Sequence, residues 1–184
     1  MKTMSTKRYE DDYETVITTD EKGNEKKTAV YRGAYFELGL EEEGIRSFRR
    51  NCFLLLAAVA VLHISGGFVN NPGMYQFYIA LPYVGAFFPM LFLAISVMRL
   101  PKEKRKFRRD EIGLSFDRMK STSILLMIFL SLGVIGEIIF LLFVSVGDLN
   151  FLEYLYLSFE VPAAAAVYFF IRLQKQIHIQ TCLE

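Results

Sequence analysis

The chain has 184 residues, of which 53% are hydrophobic and 22% charged, and its net charge is +1. So even a charge balance gives no footprint for nucleic acid, and two cysteines exclude a disulfide scaffold, while the charged residues 1–27 leave a disordered tail as the alternative to an ordered N-terminal region. What remains is a distribution: the apolar residues gather into four long runs, and all 21 Lys and Arg residues fall outside them or at their very ends.

Residues 1–40 hold the first signal. Glu14 to Thr19 and Thr28 to Leu38 are rich in Val, Ile, Thr, Tyr and Phe, and they flank the turn-forming Asp20-Glu21-Lys22-Gly23-Asn24. This pattern predicts a β-hairpin, which is marginal alone in water and therefore docks on the membrane domain, a second copy or a partner. Residues 41–50 place Glu41, Glu42 and Glu43 before Arg46, Arg49 and Arg50, an order that suits a helix dipole. In this juxtamembrane amphipathic segment, Ile45 and Phe48 are expected to dip into the lipid interface while the arginines meet anionic headgroups.

The apolar runs are Asn51 to Val69, Met74 to Leu100, Ser123 to Val146 and Phe151 to Leu173. About 20 apolar residues at ~1.5 Å rise cross a hydrocarbon core of roughly 30 Å. Alternation of period two is absent, and stretches such as Phe53 to Val61 and Ile79 to Met98 lack the polar stripe of a soluble bundle. The fold class expected is therefore an all-α bundle of four transmembrane helices, arranged as a hairpin over 51–100 and another over 121–173.

Between the hairpins, residues 101–120 form a basic loop opened by Pro101 and carrying Lys102, Lys104, Arg105, Lys106, Arg108 and Arg109. Beyond it, Leu114, Phe116 and Met119 are apolar anchors, so the loop is read as a docking surface for a partner or for the N-terminal hairpin. The connections at 69–74 and 147–150 contain no Lys or Arg. The positive-inside tendency thus places the N-terminus, the loop and the tail 174–184 in the cytoplasm of a cell-membrane protein. No cleavable signal is expected, the first span acting as its own targeting signal. On this side Cys52 and Cys182 are reduced thiols, with Cys52 either a packed small residue or an acylation site.

Three ionisable residues lie deep in the runs: His63, about 16 Å in, Glu137, about 21 Å in, and Glu160, about 15 Å from the outer end. Helical periodicity adds Tyr75, Tyr78, Glu153 and Tyr156 to their faces, which also carry Ala60, Gly66, Gly67 and Asn70. Two readings of these seven side chains stand. They line an outward-opening polar interior for a cation, a proton or a cationic amphiphile, or they satisfy backbone groups freed by Pro82, Pro89 and Pro162.

No HExxH, paired Asp dyad, GxSxG or phosphate-binding glycine loop occurs, so catalytic residues, metal ligands and cofactors are not assigned. The function expected is an accessory or scaffold subunit, docking a cytoplasmic or membrane partner. The alternative is a small transporter or binding protein using the interior around Glu137 and Glu160. Expected partners are anionic lipids on the cytoplasmic side and a homo-oligomer or larger membrane complex, with no nucleic acid.

Overall fold

The computed structural model describes residues 7–19, 25–103, 106–144 and 151–182. The predicted turn at 20–24, Lys104, Arg105 and the connection 147–150 lie outside them. The described chain is mostly helical, with four helices long and apolar enough to cross a membrane.

A short 3₁₀ turn, Lys7–Asp12, leads into β1 (Tyr13–Thr19), which pairs antiparallel with β2 (Glu25–Tyr31) in the register Tyr13 to Tyr31. The second predicted strand breaks at Arg32–Ala34, and its remainder forms β3 (Tyr35–Leu38) in a different sheet. Here Tyr31 turns its hydroxyl back to the Ala34 carbonyl at 2.8 Å, closing the corner between the two sheets.

α1 (Glu42–Gly67) begins with two acids in its first turn, which complement the dipole. The juxtamembrane segment and the first apolar run are therefore one helix of 26 residues. Ile45, Phe48, Cys52 and Val59 share its buried face. Ile45 and Phe48 are only 2% and 7% exposed, and the Phe48 ring stacks with Phe116 at 6.4 Å between centroids. These two residues thus face protein and not lipid, because the helix leading out of the loop covers them. Cys52 is sealed in the same interface, as a packed small residue.

After a 3₁₀ turn at Pro72–Tyr75, α2 (Phe77–Met98) runs through Pro82 and Pro89. β4 (Phe107–Arg108) and α3 (Arg109–Ile112) follow, and a π turn at Gly113–Asp117 carries the chain into α4 (Arg118–Phe143). The span 109–143 is thus continuous helical structure, longer than the expected 123–146. Phe116 and Met119, expected as docking anchors, are core residues at 8% and 1% exposure. α5 (Phe151–Gln174) closes the bundle and β5 (Ile179–Cys182) ends the described chain.

α2 packs along α4, and α5 packs against both α1 and α4. Small residues allow the closest approach: a Cβ at Gly136 would stand 3.1 Å from the Tyr78 carbonyl oxygen, and one at Gly85 would strike the Phe129 ring at 2.6 Å. At the end of the bundle where the bases gather, β3 lies between β4 and β5, pairing Tyr35 with Arg108 and with Cys182. Gly39 N–H extends the pairing to the His178 carbonyl at 2.9 Å. Segments from the N-terminal region, the basic loop and the tail are thereby tied into one cap.

Candidate functional site

At the opposite end of the bundle, the deep ionisable residues come together. His63 on α1 faces Glu160 on α5, its Nδ1 lying 3.0 and 3.1 Å from the two carboxyl oxygens. The other ring nitrogen, Nε2, is 3.1 Å from the Tyr83 carbonyl. A carbonyl only accepts, so Nε2 carries a proton and donates to it. The contact between Nδ1 and Glu160 then holds one further proton, as an imidazolium beside a carboxylate or as a neutral ring beside a carboxylic acid.

Aromatic rings fix this pair. Tyr83 and Phe87 pack on the imidazole at 4.3 and 4.8 Å between centroids, and the Tyr83 hydroxyl donates to the His63 carbonyl at 3.0 Å. One turn along α1 from His63, Gly66 leaves room for the carboxyl, since a Cβ there would lie 2.8 Å from Glu160 Oε1.

A second group brings Glu137 of α4 and Glu153, in the first turn of α5, to the turn at 71–73, where Asn71 Nδ2 faces both carboxyls. Asn71 Nδ2 and the Gly73 N–H, the latter at 2.9 Å, both donate to Glu153. Asn71 Nδ2 also lies 3.4 Å from Glu137, a long contact. The turn around Pro72 is thereby pinned to two helices. Gly73 fits because it lacks a side chain: a Cβ would come within 2.6 Å of Glu137 Oε2.

Tyr156 stands on the α5 face between Glu153 and Glu160, fully buried, with no hydrogen-bond partner for its hydroxyl. The Asn71 Oδ1 is likewise buried and unpartnered. Among the described residues, no Lys or Arg pairs with the network's acids. Its members are closed from outside, with His63, Glu137 and Glu153 at 0% exposure and Glu160 at 2%. Tyr83 and Phe87 pack on the imidazole and the 71–73 turn packs on Glu153. Among the described residues no three His, Cys, Asp or Glu side chains are placed to hold a metal ion.

Five of the seven predicted interior residues thus converge: His63, Glu137, Glu153, Tyr156 and Glu160. Tyr75 does not, being 78% exposed and donating to Asn70 Oδ1 at 3.0 Å. It sits in the 3₁₀ turn before α2, where a count of 3.6 residues per turn does not apply. Tyr78 lies half-buried over Gly136 in an apolar groove with Pro82 and Ile139. Asn71, Gly73, Tyr83 and Phe87 were not anticipated. The Asn-Pro-Gly sequence reads as an ordinary turn, and Tyr83 lies on the α2 face beside the one that carries Tyr78 and Pro82.

The predicted basic residues divide into two groups. Arg108 and Arg109 are engaged within the cap: Arg108 Nε lies 3.7 Å from Asp110, and Arg109 Nη1 lies 3.9 Å from Asp12. The Arg109 N–H donates to the Tyr31 hydroxyl at 3.0 Å, and Tyr13 donates to Asp110 at the same distance. The hairpin therefore docks on the basic loop of its own chain. Partial burial pushes the Tyr13 hydroxyl up from its ordinary value, and the Asp110 carboxylate adds to this. Lys106 is exposed in the same segment. Arg46, Arg49, Arg50 and Lys102 gather instead on the outer side of α1.

No family model, no curated protein and no solved structure matches this chain.

Proposed function

We propose that the protein is a multi-pass protein of the cell membrane, with both termini cytoplasmic, that serves as an accessory or scaffold subunit by presenting its cap to a partner. The observation that carries this reading is the cap itself. Three distant segments, 35–38, 107–108 and 179–182, join in one sheet, and the hairpin is seated on the loop beside it. Orientation signals alone require no such assembly. The hairpin overhangs its seat, with Ile17, 55% exposed, on the same face as Tyr13 and Tyr31. A single exposed apolar side chain is ordinary on a protein surface, so Ile17 serves as the position where the ribbon stands clear of its seat and a partner contact is read out.

The test places a photo-crosslinking amino acid at Ile17 in the full chain, in cells, with the same probe at Ile138 on α4 as control. A discrete protein adduct from position 17 alone is the expected result. Absence of an adduct, or the same products from both positions, sinks the reading.

The buried acids favour a second reading, an interior that binds protons. What supports it is that three buried carboxyls meet only an imidazole and uncharged groups: Glu160 faces His63, and Glu137 and Glu153 face Asn71 Nδ2. Infrared spectroscopy of the purified protein would then show a protonated-carboxyl band that Glu137→Gln removes. A spectrum without such a band excludes it.

A further inference from the structure

Arg46, Arg49 and Arg50 of α1 and Lys102, just past the end of α2, surround a pocket of about 290 Å³ whose apolar wall is Phe53. Among the described residues, four bases and no acid line it. Arg46 is partly balanced by Glu42 at 3.6 Å, one turn back on α1. Arg49 lies over the Phe53 ring at 5.3 Å, which holds its guanidinium at the pocket, and its Nε is buried without a hydrogen-bond partner. Among the described residues, Arg50 and Lys102 form no ion pair. Guanidinium groups converging with an ammonium match the oxygens of a phosphate, which accepts from several donors at once.

The surroundings separate a lipid from a soluble anion. From Arg50 an exposed apolar stripe runs along α1 through Phe53, Leu54, Ala57 and Val61, with Leu54 and Val61 at 62% and 64% exposure. Residues three and four apart share a helix face, so the stripe begins at the pocket and leads away from it along the span. Charge at the helix end and a continuous apolar track below it reproduce the two halves of a phospholipid.

We infer that this pocket binds the headgroup phosphate of an anionic phospholipid, with the acyl chains lying along the α1 stripe. The inference rests on the reading that α1 crosses a membrane with its basic end inside.

Native mass spectrometry of the full-length, detergent-solubilised protein with phosphatidylglycerol and with phosphatidylcholine tests it. Wild type is expected to retain phosphatidylglycerol at least about tenfold better than phosphatidylcholine, a preference lost in R50Q/K102Q. The control K120Q/K175Q removes two bases from the same end of the bundle, outside the pocket, and is expected to keep the preference. All three proteins are first compared by thermal unfolding, so that a folding defect is seen as such. R49K, which keeps the charge but not the guanidinium fork, provides a second variant and is expected to weaken retention less than R50Q/K102Q. Equal retention by wild type and R50Q/K102Q overturns the site, as does equal loss in K120Q/K175Q. Displacement of the lipid by millimolar inorganic phosphate assigns the pocket to a soluble anion and overturns the lipid. Alkaline carbonate extraction of cell membranes is read separately: release of the protein defeats the membrane reading itself, whereas retention with no lipid preference defeats only this site.

Discussion

The two ends of the bundle solve opposite electrostatic problems. The end with the buried network holds three carboxyls and one imidazole almost wholly out of water, so the carboxyls and the ring depend on neighbours supplied by another helix or by the 71–73 turn. The cap end carries the bases, and each of its ion pairs keeps at least one partner open to solvent, Arg32 with Glu14 at 3.1 Å being more than half exposed on both sides. A buried polar group without its partner bears the full desolvation cost, whereas an exposed one returns to water. The comparison teaches that equal numbers of hydrogen bonds have unequal consequences. The network fixes how the helices meet, and the cap leaves its surface adjustable.

This contrast is open to direct attack. The largest effect is expected from Glu153→Ala, which strips the acceptor from both Asn71 and the Gly73 N–H; a loss of about 3 kcal/mol, measured by thermal unfolding in detergent, follows from two stranded buried donors. A variant as stable as wild type would show that the network does not hold the fold. Next comes the His63–Glu160 pair. Each single change, His63→Leu or Glu160→Met, is expected to cost about 2 kcal/mol, and the double variant less than the sum by about 1 kcal/mol, because the second change removes the orphan left by the first. Strict additivity in that cycle would deny the pairing.

At the cap the effects are smaller and local. Tyr13→Phe removes the contact with Asp110 and is expected to speed proteolytic cleavage of the hairpin severalfold, with the melting of the helices unchanged. The smallest effect is one of pH. The Tyr13 hydroxyl titrates above its ordinary value in the folded protein, so its stabilising contribution is whole below about pH 10 and is lost as pH rises through the shifted value. Cleavage of the hairpin is therefore expected to accelerate above about pH 10 in wild type, and Tyr13→Phe to lack that step. An acceleration equal in both proteins would remove Tyr13 from the docking contact.

The helices were readable because length and hydropathy are local properties, and α5 ends within a residue of the expected Leu173. The helical start of α1 was readable too, from acids placed before bases at 41–50; what was not readable is that Ile45 and Phe48 face protein, being covered by a distant segment. The β1–β2 hairpin is a local pairing and was anticipated. The partners of β3 come from 107–108 and 179–182, and no short-range pattern announces so distant a match. In the network, ionisable residues deep in apolar runs stood out at once. Asn71 and Tyr83 did not, because their role arises from where the turn folds and from a backbone carbonyl, which has no letter in the sequence.

The central claim is that the network binds the helices to one another while the cap makes the contacts with other molecules. The measurement that tests it most directly is the photo-crosslink from position 17 in the E137Q/E160Q protein, with the amides keeping the shape of the carboxyls. The account predicts a lower melting temperature and an undiminished adduct at position 17. Loss of that adduct from a protein that still melts as wild type would contradict it, and would move the working site into the buried acids.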